Sequence, residues 1–198
     1  MERAALSAGP SNPPAPSRGR RRGSAQKPTE GPTTVPKGGI RDMGLTESTL
    51  GLVAALVPTF TAARIGSSFP VDEWYAELAK PAWNPPNWVF GPVWGVLYLL
   101  MAIAAWLVWR WSGFAGAAIP LGAYVLQLGL NAAWSWFFFG RHELGLAFIE
   151  IVLLWGAILG TIIGFWRLNP ISGILLVPYL LWVTFAAFLN FTIWRLNR

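Results

Sequence analysis

Charge, cysteine and histidine are what this sequence has least of. Its 198 residues include no cysteine, a single histidine and only 12% charged residues, whereas a soluble domain carries about 25%. The lack of cysteine excludes disulfides and thiol-based metal or redox chemistry. A chain of this length cannot hide all of its hydrophobic residues, 54% of the total, in a core. We therefore predict a protein whose outer surface is apolar as well, which means an integral membrane protein.

The residue groups that conventional catalysis needs are also missing. The sequence shows no Ser/His/Asp set, no paired carboxylates in its apolar segments, no Gly-rich phosphate loop and no cluster of metal ligands. The one histidine, His142, lies between Arg141 and Glu143, and we expect a solvated loop residue rather than a ligand. Most of the net charge of +6 comes from residues 1–43, so the rest of the chain offers no basic face to nucleic acid. We expect no metal site, no covalently bound cofactor and no nucleic-acid partner.

Residues 1–43 differ in composition from the rest of the chain. They are rich in Pro, Gly, Ser and Arg and almost free of large apolar residues, which predicts a disordered basic tail. Three interpretations stay open: a juxtamembrane tail with a polybasic stretch at 18–22, a transit peptide, or an untranslated segment ahead of a true start at Met43. The second domain, 44–198, begins immediately afterwards.

Five apolar stretches in this domain reach the roughly 20 residues that a membrane span needs. They are 45–65, 89–109, 114–140, 144–166 and 170–194. The links after the second, third and fourth stretches are short, so consecutive helices should be antiparallel neighbours. The predicted fold class is an all-α membrane protein, a bundle of five transmembrane helices.

The first link, residues 66–88, is long and aromatic. Connections of about twenty residues in a compact domain are usually functional or disordered, and this one has too many aromatic residues to be disordered. We predict a lid or recognition loop, with a short amphipathic helical turn at 74–78. Its lid residues are Trp74, Pro81, Trp83, Pro85 and Pro86.

A polar stripe on the third span is the clearest candidate site. Gln127, Asn131 and Ser135 are spaced i, i+4, i+8, and side-chain amides at membrane depth must face the bundle or a cavity. Interhelical hydrogen bonding and ligand binding are both open explanations. In the fifth span, Trp182 lies too deep for an interfacial belt and has Tyr179 beside it. These aromatic and amide groups suit a flat, largely apolar ligand.

One acid lies within the predicted spans. Glu150, near the start of the fourth, is expected to be an ion-pair or hydrogen-bond partner in helix packing. Central in the same span, Trp155 is expected to pack against lipid or core.

The motifs that carry a family resemblance lie in the lid loop and in the fifth span. Residues 74–98, WYAELAKPAWNPPNWVFGPVWGVLY, resemble the signature of the TspO/MBR family, the translocator proteins and tryptophan-rich sensory proteins. Residues 178–190, PYLLWVTFAAFLN, resemble the fifth helix of that family. The resemblance covers 45–195 and leaves out the tail.

The resemblance implies a five-helix bundle, often a homodimer, that binds porphyrin as a non-covalent ligand and, in some members, sterol-like lipids. It places Tyr75, Trp94, Asn131 and Trp182 at the ligand. The implied role is regulatory, sensory or translocating; the alternative is light- and oxygen-dependent porphyrin degradation, with Trp94 and Trp182 as the catalytic residues. Where animal members have a tyrosine in a proposed sterol motif, this chain has Phe188.

The distribution of basic residues predicts the orientation in what we expect to be a bacterial cell membrane. If translation starts at Met43, the positive-inside rule puts the C-terminus and the long loop in the cytoplasm. If the tail is present, the two sides are nearly balanced and the rule does not decide. The long-loop side carries Arg64, Lys80, Arg141, Arg195 and Arg198, and the other side carries Arg110 and Arg167.

Overall fold

The structure is a computed structural model that describes residues 44–69 and 71–198. The predictions about the tail, residues 1–43, lie outside the described residues. The helices are α1 (Leu45–Gly66), α2 (Glu73–Glu77), α3 (Asn87–Ser135), a π-helix (Trp136–Gly140), α4 (Leu144–Leu168) and α5 (Pro170–Leu196). The described part of the chain contains no strand, and the predicted all-α class is confirmed.

Within the described residues, four helices are long and apolar enough to cross a membrane, and α3 accounts for two of the five predicted spans. Its 49 residues would extend about 74 Å at 1.5 Å per residue, far more than the roughly 30 Å of a bilayer core. Gly113 interrupts it with φ 66° and ψ −179°, a backbone region that is essentially reserved for glycine. We call 87–112 the first arm of α3 and 114–135 the second arm.

The two arms of α3 run antiparallel. The Tyr98 hydroxyl donates to Asn131 Oδ1, and Gln127 Nε2 lies 3.8 Å from Met101 Sδ. In each pair, the two residues lie at almost equal sequence distances on either side of Gly113, as expected for a helical hairpin that turns there. The predicted link between the second and third spans is therefore reduced to Gly113.

The turn between α4 and α5 is equally short. Asn169 has an extended backbone, and its Oδ1 accepts hydrogen bonds from the backbone N–H groups of Ile171 and Ser172. Pro170 follows at the first helical position, where its missing N–H is not needed. This capped, single-residue turn makes α5 pack directly against α4.

Aromatic and aliphatic side chains from α1, α3, α4 and α5 form the main core. A few side-chain hydrogen bonds cross between helices. Thr59 of α1 bonds to the Tyr124 hydroxyl of the second arm, and Trp155 Nε1 of α4 donates to Thr184 Oγ1 of α5 at 2.8 Å. Such contacts supply polar partners that lipid cannot.

The expectation for Glu150 was wrong. This residue is buried, and among the described residues neither carboxylate oxygen has a hydrogen-bond partner. Its helix face packs inward, where the surrounding described side chains offer no donor within reach. Gln127 is similar, because its Oε1 has no partner in the described range. Within the polar stripe, only Asn131 has both side-chain atoms in helix-to-helix hydrogen bonds.

Candidate functional site

A cavity of about 660 Å³ lies at the end of the bundle that carries the 66–88 loop. Its wall comes from α1, the loop, both arms of α3, the π-helix and α5. The residues that line it are Phe60, Ala63, Arg64, Gly66, Ser67, Phe69, Val71, Tyr75, Asn87, Phe90, Gly91, Trp94, Gly95, Tyr98, Asn131, Trp134, Ser135, Phe138, Phe139, Trp182, Ala186, Leu189, Asn190 and Ile193. The four residues to which the resemblance assigns the ligand, Tyr75, Trp94, Asn131 and Trp182, are all among them.

Two tryptophans from different helices give this cavity its aromatic surface. Trp94 of the first arm stacks on Tyr98, with ring centroids 5.4 Å apart and planes at 30°. Trp182 of α5 meets Phe90 edge to face at 5.9 Å. Gly91 and Gly95 leave open space where side chains would otherwise project. The result is an apolar space with aromatic faces on two helices.

Asn131 forms the polar part of the wall. Its Oδ1 accepts from the Tyr98 hydroxyl, and its Nδ2 donates to the Tyr179 hydroxyl at 3.1 Å. The amide thus joins both arms of α3 to α5, which confirms the interhelical hydrogen bonding. It also lines the cavity, and its role in ligand binding stays a prediction. Ser135 lines the cavity too, whereas Gln127 and Tyr179 are buried behind the wall.

Tyr75 reaches the cavity from the loop because of a local helix cap. Asp72 Oδ1 accepts from the backbone N–H of Tyr75 at 3.1 Å and starts α2, close to the helical turn predicted at 74–78. The ring of Tyr75 is buried, and its hydroxyl donates to Asn84 Oδ1 at 3.2 Å. Burial raises the pKa of Tyr75 more than that hydrogen bond lowers it, so the phenol stays protonated at neutral pH.

Contacts at both ends of α2 fasten the loop to the bundle. The His142 ring stacks on Trp74 at 3.9 Å with planes at 10°, and its Nε2 lies 3.3 Å from Asp72 Oδ2. Beyond α2, the Asn197 side chain pairs with Ala79, accepting from its N–H at 2.9 Å and donating to its carbonyl at 3.0 Å. His142 is an exposed residue of the turn before α4, as expected, and it also contacts Trp74 and Asp72.

The predicted lid residues do not line the cavity. Trp74 packs edge to face on Phe138, with ring centroids 6.1 Å apart. Trp83 packs on Phe185, with ring centroids 5.9 Å apart, and half of the surface of Trp83 is exposed. Pro81, Pro85 and Pro86 are likewise absent from the wall. These residues shape the loop, and the loop reaches the cavity through other residues, which include Ser67, Phe69, Val71 and Tyr75.

Several wall residues were not anticipated from the sequence. Phe138 and Phe139 belong to the π-helix, whose wider turn changes the direction of side chains relative to an α-helix. Trp134 Nε1 donates to Asn190 Oδ1 at 3.1 Å, and Asn190 Nδ2 donates to the Leu144 carbonyl at 3.0 Å. Trp134 and Asn190 are 56 residues apart, and no local sequence pattern indicates that they are partners.

A smaller cavity of about 340 Å³ lies between α1 and the Gly113 region of α3. Its wall is almost wholly apolar and includes Gly51, Pro58, Trp109, Phe114 and Tyr124.

Within 44–69 and 71–198, no three His, Asp or Glu side chains come together as a metal site.

The TspO/MBR family model matches residues 49–195. The chain belongs to the TspO/MBR family. It is 44% identical over 139 residues to the human translocator protein, covering 68% of this chain and 82% of the relative. It is 41% identical over 140 residues to protein CrtK of Rhodobacter capsulatus, covering 69% and 86%. To the tryptophan-rich sensory protein of Cereibacter sphaeroides it is 40% identical over 148 residues, covering 72% and 92%.

The TspO/MBR match spans every helix that forms the cavity. It begins in α1, before Arg64, and ends in the last turn of α5, after Asn190. The described domain is therefore a multi-pass membrane protein of the translocator and sensory protein family, and the cavity belongs to the matched part.

Proposed function

We propose that this TspO/MBR protein binds porphyrins and similar flat tetrapyrroles in the 660 Å³ cavity. The observation that carries the proposal is the convergence of Tyr75, Trp94, Asn131 and Trp182 on one wall from four separate segments. The volume lies within the roughly 300–1,000 Å³ of pockets that hold small ligands. Aromatic faces favour stacking of a flat ring, while a few polar groups fix its orientation.

The proposed role is regulatory or sensory, or that of a translocator. Relatives bear both kinds of name, translocator protein and tryptophan-rich sensory protein. The fastened loop supports a role in which the ligand is held, because Tyr75 is positioned by contacts to α5 and to the turn before α4. Sterol-like lipids are a second ligand class to be tested as competitors.

A second candidate function is light- and oxygen-dependent porphyrin degradation. The supporting observation is that Trp94 and Trp182 line the same cavity, so an excited ligand bound there would have two oxidisable indoles in the surrounding wall. Trp94 also contacts Tyr98 and Tyr179, and these phenols could supply further electrons to an oxidised indole.

Titration of the purified protein with protoporphyrin, first in darkness and then in light, tests both functions. Binding should quench tryptophan fluorescence saturably in the dark. If the protein only binds, the absorption spectrum then stays constant under illumination in air; if it degrades porphyrin, a product absorption grows and is lost in Trp94→Phe. An absence of saturable quenching in the dark would contradict the binding proposal.

We propose that the C-terminus and the long loop lie in the cytoplasm of a bacterial cell membrane. The proposal applies to a chain that starts at Met43, in which five basic side chains lie on that side and two on the other, as in the positive-inside rule. Because the chain has no cysteine, the variants Arg198→Cys and Arg167→Cys report one side each. A membrane-impermeant maleimide should label only Arg167→Cys in intact cells and both variants after permeabilisation. The reverse pattern would invert the orientation.

We also propose a homodimer. Gly156 and Gly160 lie four residues apart on α4, and a Cβ at either would meet open space, so a second helix could approach closely. Light scattering in detergent should give twice the chain mass, and the mass of one chain would contradict the dimer.

A further inference from the structure

One cation lies on the wall of the large cavity. Among the described residues that line it, Arg64 alone carries a charge. Arg64 belongs to the last turn of α1, at the end of the bundle that carries the 66–88 loop. Its Nη1 donates to Ser68 Oγ at 3.2 Å, and no salt bridge to a carboxylate is found for it in the described range. Among the described residues, most of the five donors of the guanidinium therefore have no partner.

The nearby acids do not neutralise this cation. Asp72 is engaged by the backbone N–H of Tyr75 and by His142. Glu73 and Glu77 lie on α2, are exposed, and are not on the cavity wall. The mouth of the cavity thus presents a positive charge without an acidic neighbour on the same wall.

The N-terminus of α3 adds to the positive charge at the mouth of the cavity. Asn87, its first residue, also lines the cavity, and the preceding Pro86 provides no side-chain cap. An uncapped helix N-terminus carries a partial positive charge. Deeper in the cavity the wall is aromatic, with Trp94 and Trp182. The cavity is therefore amphipathic, with a cationic mouth and an apolar interior.

We propose that Arg64 is a specificity-determining residue that binds a carboxylate at the edge of the ligand, so that the cavity selects flat amphipathic acids over their neutral analogues. This inference rests on the proposed function and narrows its ligand class. A guanidinium binds a carboxylate through two parallel hydrogen bonds, which would fix which edge of the flat ring faces the mouth.

The test compares protoporphyrin, which has two carboxylates, with its dimethyl ester, which has none. Dark fluorescence titrations would use the wild type, Arg64→Gln, Arg64→Lys and Arg195→Gln. Arg195 lies in the last turn of α5 at the same end of the bundle and is not on the wall, so its variant removes an equal charge without touching the cavity. Because each variant is compared with the wild type for the same ligand, differences in detergent partitioning cancel.

We expect Arg64→Gln to weaken binding of the free acid by about two- to ten-fold, the range for a partly exposed charge pair, and to leave binding of the ester unchanged. Arg64→Lys should recover part of the loss, and Arg195→Gln should behave like the wild type. Raising the salt concentration from about 0.1 to 1 M shortens the screening length from about 10 to 3 Å. This change should weaken binding of the free acid to the wild type, and weaken its binding to Arg64→Gln much less.

Two outcomes would overturn the inference while leaving the proposed function intact. In the first, Arg64→Gln loses affinity equally for the acid and the ester, which would indicate a steric or folding effect. In the second, Arg64→Gln and Arg195→Gln lose affinity equally for the free acid, which would indicate a general surface-charge effect. If neither ligand quenches the wild type saturably, the proposed function itself fails.

Discussion

Replacement of Trp182 with alanine is expected to weaken protoporphyrin binding by about 5- to 150-fold, which corresponds to the roughly 1–3 kcal/mol that stacking of a flat ring on an aromatic side chain contributes. Trp182 packs edge to face on Phe90 and lies 5.5 Å from Phe185. Its removal would therefore eliminate one aromatic face and also loosen its neighbours. Dark titration by fluorescence quenching measures the effect.

Trp166→Ala is the matched control for this loss. Trp166 lies on α4, is half exposed, and is not on the cavity wall, so its variant should bind protoporphyrin like the wild type. Equal affinities of Trp182→Ala and the wild type would refute the cavity as the porphyrin site. Asn131→Ala should also weaken binding, but it is less diagnostic because it leaves the hydroxyls of Tyr98 and Tyr179 without a partner and so lowers stability as well.

Gly113→Ala is expected to destabilise the protein by about 1–3 kcal/mol, the cost of holding a non-glycine residue in a backbone region that only glycine occupies freely. Gly113 has φ 66° and ψ −179° and is buried at the turn between the two arms of α3. Relief of the strain by continuing the helix would separate Tyr98 from Asn131 and remove a cavity wall. Thermal unfolding in detergent is the measurement.

The second arm of α3 supplies a control for this variant. Gly129 is in regular helix, and a Cβ there would meet open space, so Gly129→Ala should leave the unfolding temperature nearly unchanged. If both variants lowered it equally, the explanation by backbone strain at Gly113 would be wrong.

The sequence predicted the features that depend on local composition and period. Long uncharged apolar stretches indicated the spans, and the depth of Trp182 and the i+4 spacing at Asn131 indicated two wall residues. Tyr75 and Trp94 came from the family resemblance. The break between the second and third spans was predicted at 110–113, and the structure confirms it at Gly113. That the turn consists of this one residue could not be predicted, because one glycine among many small residues carries no local sign of its φ angle.

Features that depend on partners distant in sequence were missed or misjudged. Asn197 fastens the loop to the end of α5 through Ala79, and a polar residue near a helix end gives no indication of a partner more than a hundred residues away. The contacts of His142 with Trp74 and Asp72 were not predicted for the same reason. For Glu150, the general rule that buried charges are paired gave an expectation that the packing of α4 does not meet.

The tight core beyond the large cavity bears on how a ligand could travel. Val108, Ala117 and Phe165, which lie towards the Gly113 end of the bundle, are completely buried. A carrier with alternating access opens one site to each compartment in turn, and here such an opening would require these packed helices to separate. If the cavity binds a ligand as proposed, that ligand would leave at the loop end or sideways between helices. A sensory role would need only the loop end to open, whereas a translocator role would need the packed helices at the Gly113 end to separate as well.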